Sequence, residues 1–228
     1  MEDFKMKDSS KIKFICSGIL FVLFCALIFA VKFVDVQAIG PESSSIGLAA
    51  INEAVHDFFG VNLVLYKITN ILGYAAITVA GCFALFGVYQ LVTRRSFKKV
   101  DPDIYVLAGC YAAAVLIYIF FEYIIINYRP VDLGSGLEAS FPSSHTVLSL
   151  CIMSTAIDQF FHRIKSRPLS LALCCSCGVL GAVTVVGRLV SGVHWFTDIL
   201  GGVLISGAVL LLYLGLCERL RKSGRNLQ

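Results

Sequence analysis

The chain has 228 residues, of which 57% are hydrophobic and 15% charged, with a formal net charge of +4. Soluble domains average about 45–50% apolar and about 25% charged residues. A mean hydropathy of +0.82 therefore excludes a soluble globular domain, a disordered chain and a nucleic-acid binder, and leaves an integral membrane protein.

A membrane-crossing helix needs about 20 mostly apolar residues. In chain order the hydropathy predicts six spans, over residues 12–34, 68–92, 104–126, 143–161, 169–187 and 193–217. The first is too long for a signal-peptide core and lacks a clear small-residue cleavage site, so it reads as a span. After it, Ile51, Val55, Phe58 and Phe59 fall at helical spacing around Asn52, Glu53 and Asp57. That pattern suits a short amphipathic helix on the membrane surface or an ordinary packed loop. Asp101-Pro102-Asp103 opens the third span with residues that favour a helix start. The fourth span begins at a Pro-Ser-Ser-His run, residues 142–145. In the sixth, Gly202 and Ser206 form a small-residue pair suited to helix packing. The sequence contains no linker that would divide it, so residues 1–228 read as a single membrane domain.

Charge sets the expected orientation. Lys5, Lys7, Lys11 and Lys13 precede the first span; Arg94, Arg95, Lys98 and Lys99 follow the second. Arg163, Lys165 and Arg167 follow the fourth, and Arg219, Arg221, Lys222 and Arg225 follow the sixth. These are fifteen of the nineteen basic residues, all on one side, and the positive-inside rule makes that side, with both termini, cytoplasmic. Lys32, Lys67, Arg129 and Arg188 are the exceptions. The nine cysteines lie in or beside spans and read as small apolar packers, with no outer-loop cysteines for a disulfide framework.

Polar residues gather at the outer ends of the later spans. Asn127-Tyr128-Arg129-Pro130 follows the third, Phe141-Pro142-Ser143-Ser144-His145 opens the fourth, Gly187-Arg188 closes the fifth, and His194 to Asp198 opens the sixth. Paired guanidinium forks bind phosphoryl oxygens, and a helix amino terminus offers N–H groups to an anion. His194 and Asp198, four apart, share a face on a helix. A carboxylate there fixes the imidazole tautomer and strengthens it as a nucleophile, and His145 supplies an acid. No metal and no cofactor is required. By contrast His162 and Trp195 read as interfacial side chains, His56 as part of the loop helix, and Asp158 as paired or snorkelling.

Arg129-Pro130, Pro142-Ser143-Ser144-His145, and Arg188, five residues, His194, three residues, Asp198 together resemble the three signature motifs of the type 2 phosphatidic acid phosphatase and vanadium haloperoxidase superfamily, in its membrane lipid phosphatase branch. The motif-bearing core covers residues of about 100–217. The resemblance implies an all-α bundle of six transmembrane helices with its active site at the outer face. It implies His194 as a nucleophile forming phosphohistidine, Asp198 orienting it, and His145 protonating the leaving group. Arg129, Arg188, Ser143 and the backbone at Ser144 would hold the phosphate.

Three positions depart from the family pattern. Ser144 replaces a glycine, Gly187 a serine, and Glu122 the lysine seven residues before Arg129. On a continued helix Glu122 would lie about 10 Å from Arg129, as a site modulator or as an ion-pair partner of Arg129 or Arg188. The expected function is hydrolysis of a lipid phosphate or diphosphate at the outer leaflet of a bacterial plasma membrane, with membrane lipids as the other partners. The alternative, raised by Glu122, is a catalytically silent lipid-phosphate-binding membrane protein.

Overall fold

In a computed structural model, residues 2–134 and 136–225 are described. Seven α-helices follow one another: α1 Glu2–Phe33, α2 Ala49–Phe59, α3 Leu63–Arg94, α4 Pro102–Tyr123, α5 Ser144–Arg163, α6 Arg167–Val190 and α7 Phe196–Arg225. Among the described residues the only β pairing is two isolated bridges, Gln37 with Ile46 and Tyr128 with Ala139. The molecule is an all-helical bundle with broad apolar faces turned outward, as an integral membrane protein requires.

Five helices are long and apolar enough to cross a membrane: α3, α4 and α6 entire, with Ser9–Phe33 of α1 and Phe196–Ser223 of α7. The fourth predicted span, α5, has 20 residues but falls short in composition, because Ser149, Thr155, Asp158 and Gln159 interrupt it. Its position accounts for that. α5 packs on α3, α4, α6 and α7, so its polar side chains meet protein rather than lipid. Thr155 bonds back to the Cys151 carbonyl at 2.7 Å, and Gln159 donates to Tyr213 Oη at 2.7 Å. α7 approaches α5 closely at Gly202, where a Cβ would stand 2.8 Å from the Thr146 side chain. Along its other flank α7 packs on α1, where Ser17 donates to the Ala208 carbonyl at 2.7 Å.

The two ends of the bundle differ. At the end holding residues 95–101 and 164–166, Arg163 joins α5 to the start of α4 through Asp101 at 2.7 Å and Asp103 at 2.8 Å, while Arg94 reaches Asp101 at 2.6 Å. Asp158 binds Arg221 at 2.7 Å and His162 at 3.2 Å, so it is paired, and His162 is engaged rather than merely interfacial. At the opposite end the connections are longer and carry α2, whose Ile51 and Phe58 face outward while Asn52 is fully buried. Residues 49–59 thus form a helix rather than an irregular loop. Lys32, one of the four charge exceptions, caps the carbonyls of Ile125 and Ile126 at 3.1 Å each, just past α4.

Every predicted boundary shifts by one residue or more, and two of the shifts bear on the site. α4 ends at Tyr123 rather than at residue 126, and α7 begins at Phe196 rather than at residue 193. Both shifts release residues that the site uses.

Candidate active site

Residues from four segments converge at the α2 end. After α4 the chain runs extended, and Asn127 to Arg129 pairs antiparallel with Glu138 to Ser140. Arg129 N donates to Glu138 O at 3.0 Å, and Ser140 N to Asn127 O at 2.9 Å. The intervening turn is held by Asp132, whose Oδ1 accepts from Gly134 N at 2.7 Å and Gly136 N at 3.1 Å. Both glycines have positive φ, 99° and 80°, which a side chain would resist. Arg129 therefore projects from a braced two-stranded turn, and its Nε forms an ion pair with Glu138 Oε2 at 2.9 Å. Glu122 is the last residue but one of α4 and Arg129 lies beyond the helix, so the continued-helix spacing does not apply. Arg129 takes Glu138 as its partner, and Glu122 forms no ion pair among the described residues.

The connection into α5 is tied to α7. Ser143 N donates to the backbone carbonyl of Asp198 at 3.0 Å, and Thr146 Oγ1 donates to Ser143 Oγ at 3.1 Å. Ser143 is fully buried, whereas Ser144 and His145 in the first turn of α5 line the cavity. First-turn N–H groups lack intrahelical acceptors, so an anion in this cavity finds donors. Space for the His145 ring comes from α3: a Cβ on Gly73 would stand 2.7 Å from His145 Cδ2.

His194 lies two residues before α7, so the shared helix face expected of His194 and Asp198 is not what joins them. Asp198 sits in the first turn of α7, and its Oδ2 accepts from Trp195 N at 2.9 Å. That bond curls the chain back and leaves His194 Nδ1 3.5 Å from the same oxygen. On the opposite side of the ring, Arg129 Nη1 stands 3.3 Å from His194 Nε2. Since a guanidinium only donates, this contact leaves Nε2 unprotonated and the proton on Nδ1, facing Asp198. Burial, reinforced by the positive charges of Arg129 and Arg188, holds the His194 pKa well below the usual 6.5.

Arg188 closes the site from α6. It is fully buried, with all three guanidinium nitrogens free of hydrogen bonds, and its charge lies 4.8 Å from the centre of the Tyr66 ring. A buried charge without a counterion carries a desolvation penalty of several kcal/mol, of order ~3–5 kcal/mol when a partner is removed. Its natural complement is an anion.

The resulting cavity holds about 360 Å³. Glu122, Arg129, Glu138, Ser144, His145 and His194 supply its polar lining, and Phe121 and Phe141, 5.9 Å apart between ring centres, form an apolar wall. Ser143 and Arg188 lie behind that lining. Among the described residues no cluster of three or more His, Cys, Asp or Glu side chains has metal-binding geometry.

Several supporting residues escaped sequence reasoning. Asn127 Nδ2 reaches Asp198 Oδ1 at 3.4 Å. Asn52, on α2, accepts from Thr197 N and donates to Thr197 Oγ1, both at 3.1 Å, fixing the first turn of α7. Glu138 and Gly73 complete the list. Asn127 adjoined a recognised motif and was traceable; the others sit in segments whose partners only folding supplies. Trp195, read as interfacial, is instead buried, donating from Nε1 to the Tyr128 carbonyl at 2.8 Å.

The sequence matches the PAP2 superfamily over residues 75–222. The chain belongs to that superfamily. Its fold is similar to that of a transmembrane PAP2-type phosphatidylglycerolphosphate phosphatase from Bacillus subtilis, known from a crystal structure. The TM-score is 0.61 at 18% identity, covering 93% of this chain and 97% of that one. Comparison with curated protein sequences yields no match. The chain is thus an integral membrane protein of the PAP2 superfamily.

Proposed function

We propose that this PAP2 protein hydrolyses a lipid phosphate through a phosphohistidine at His194. The observation that carries the reading is the juxtaposition of an Nε2 lone pair, 3.3 Å from Arg129 Nη1, with a buried Arg188 that has no anionic partner. In this reading Arg188, Arg129 and the first-turn N–H groups of α5 take up the phosphoryl oxygens. His194 Nε2 attacks phosphorus and the bond from phosphorus to the lipid oxygen breaks. His145 gives that oxygen its proton, and the negative charge of the bound phosphate favours the imidazolium that does so. Asp198 stabilises the Nδ1–H as positive charge grows on the ring. Water then attacks the phosphohistidine, His145 takes the water proton, and inorganic phosphate leaves.

All six long helices cross the membrane in this reading, α5 shielded by its neighbours, and residues 1–228 act as one domain. The asymmetry of basic residues supports cytoplasmic termini and a site on the outer face. A bacterial plasma membrane fits that arrangement.

The test is phosphate release by the purified protein from phosphatidic acid, phosphatidylglycerol phosphate and undecaprenyl diphosphate. Release from at least one substrate, reduced by at least about 10³-fold in His194→Ala, is expected for loss of a covalent nucleophile. Equal release by His194→Ala would overturn the mechanism. Binding without turnover would favour the silent alternative.

A further inference from the structure

Two charges at this site have no ion-pair partner in the protein, and they are of opposite sign. Arg188 is a fully buried guanidinium with no hydrogen bond. Glu122 is an exposed carboxylate at the edge of the cavity lining, with no ion pair or hydrogen bond among the described residues. The remaining lining charges cancel, since Arg129 is bound to Glu138 at 2.9 Å. A phosphate dianion alone would satisfy Arg188 but leave Glu122 facing a second negative group. A diphosphate would aggravate that repulsion.

We propose that the cavity selects a zwitterionic substrate, a lipid phosphate monoester whose alcohol carries a protonated amine close to the phosphate, with Glu122 as the ammonium acceptor. This rests on the phosphatase reading and narrows its substrate class. The cavity, about 360 Å³, has room for a phosphate and a short amino-alcohol segment beside the apolar wall of Phe121 and Phe141. Glu122 neither attacks nor transfers a proton; it chooses among substrates. Because Glu122 is exposed, its pairing with the amine is screened, and the amine is worth about two- to fivefold in kcat/KM.

Sphinganine 1-phosphate, its N-acylated counterpart and phosphatidic acid make the decisive panel. The first two share phosphate and chain, but acylation removes the positive charge. The purified protein is expected to favour the free amine about two- to fivefold. In Glu122→Gln the ratio should fall to about unity, chiefly through KM, and in Glu122→Lys it should invert. Equal kcat/KM for the amine and N-acyl substrates, or a preference that survives Glu122→Gln, would overturn the selection while leaving the phosphatase reading intact. Should none of the three be hydrolysed, phosphatidylglycerol phosphate and undecaprenyl diphosphate decide the phosphatase reading, and thermal stabilisation decides the selection. Stronger stabilisation by the free-amine lipid, lost in Glu122→Gln, supports it; equal stabilisation by both overturns it.

Discussion

His194 is held by contacts that leave it one reactive atom. Nδ1 faces Asp198 and Nε2 faces Arg129, while burial and two nearby guanidinium groups oppose protonation. A pKa lowered in the folded state means that the unfolded chain binds a proton first. Stability at His194 is therefore complete above 6.5 and declines as pH falls below it. The nucleophile stays neutral through the same range, so the acid limb of kcat/KM attributable to His194 lies below pH 6.5. A limb centred at or above 6.5 that disappears with changes at His194 would contradict this. Gly73 offers a second residue-scale test. Gly73→Ala places a methyl 2.7 Å from the His145 ring and is expected to cut kcat about tenfold or more, since a misplaced catalytic group is costly. Its folding, read by thermal unfolding in detergent, should change far less than its activity.

At the scale of elements, the α2 end depends on backbone and side-chain ties between segments distant in sequence. Asn52 exchanges two hydrogen bonds with Thr197 and donates a third to the Gly47 carbonyl at 2.9 Å. Removing this buried side chain leaves the Thr197 N–H unsatisfied, so Asn52→Ala should cost about 2–3 kcal/mol of stability. It should also lower activity by loosening the turn that presents His194 and Asp198. Thermal unfolding together with phosphate release checks both. Gly192 is tighter still: φ is +66° and a Cβ would lie 1.9 Å from the Gly60 carbonyl. Gly192→Ala should fold poorly, as read by yield of monodisperse protein. The helices themselves were legible in the sequence, because long apolar runs bounded by charge leave few alternatives. α5 was found through its Pro-Ser-Ser-His start. Its ends and those of α4 and α7 are less legible, because the residues that leave the helices do so for tertiary hydrogen bonds, as Trp195 does with the Tyr128 carbonyl. The motif residues His145, His194, Asp198, Arg129 and Arg188 were identifiable by their spacing, whereas Glu138, Asn52 and Gly73 carried no local signal. Each acquires its role from a partner elsewhere in the chain: Glu138 from Arg129, Asn52 from Thr197, Gly73 from His145.

For the whole molecule, the central feature is a polarity along the bundle axis. One end is laced by Arg163, Arg94, Arg221 and their aspartates, and the other opens into the cavity. Burial pushes the Asp101 carboxyl up, but hydrogen bonds from Arg163, Arg94 and Gln90 and the charge of Arg163 outweigh it and bring the pKa to about 2, below its usual 3.8. This tie therefore holds above pH 3.8 and weakens as pH falls from there toward 2. Orientation follows from the same polarity. With the basic end cytoplasmic, a cysteine at Leu137 should react with a membrane-impermeant maleimide added to intact cells, and one at Ser96 only after permeabilisation. The opposite pattern would invert the proposed topology.

The central claim is that the phosphoryl group passes through His194. The most direct measurement is acid-free rapid quenching of the purified protein during turnover of a ³²P-labelled lipid phosphate. The account predicts label on the protein that is stable to alkali, released by acid, mapped to His194 and absent from His194→Ala. Turnover without such label, or label that persists in His194→Ala, would contradict it.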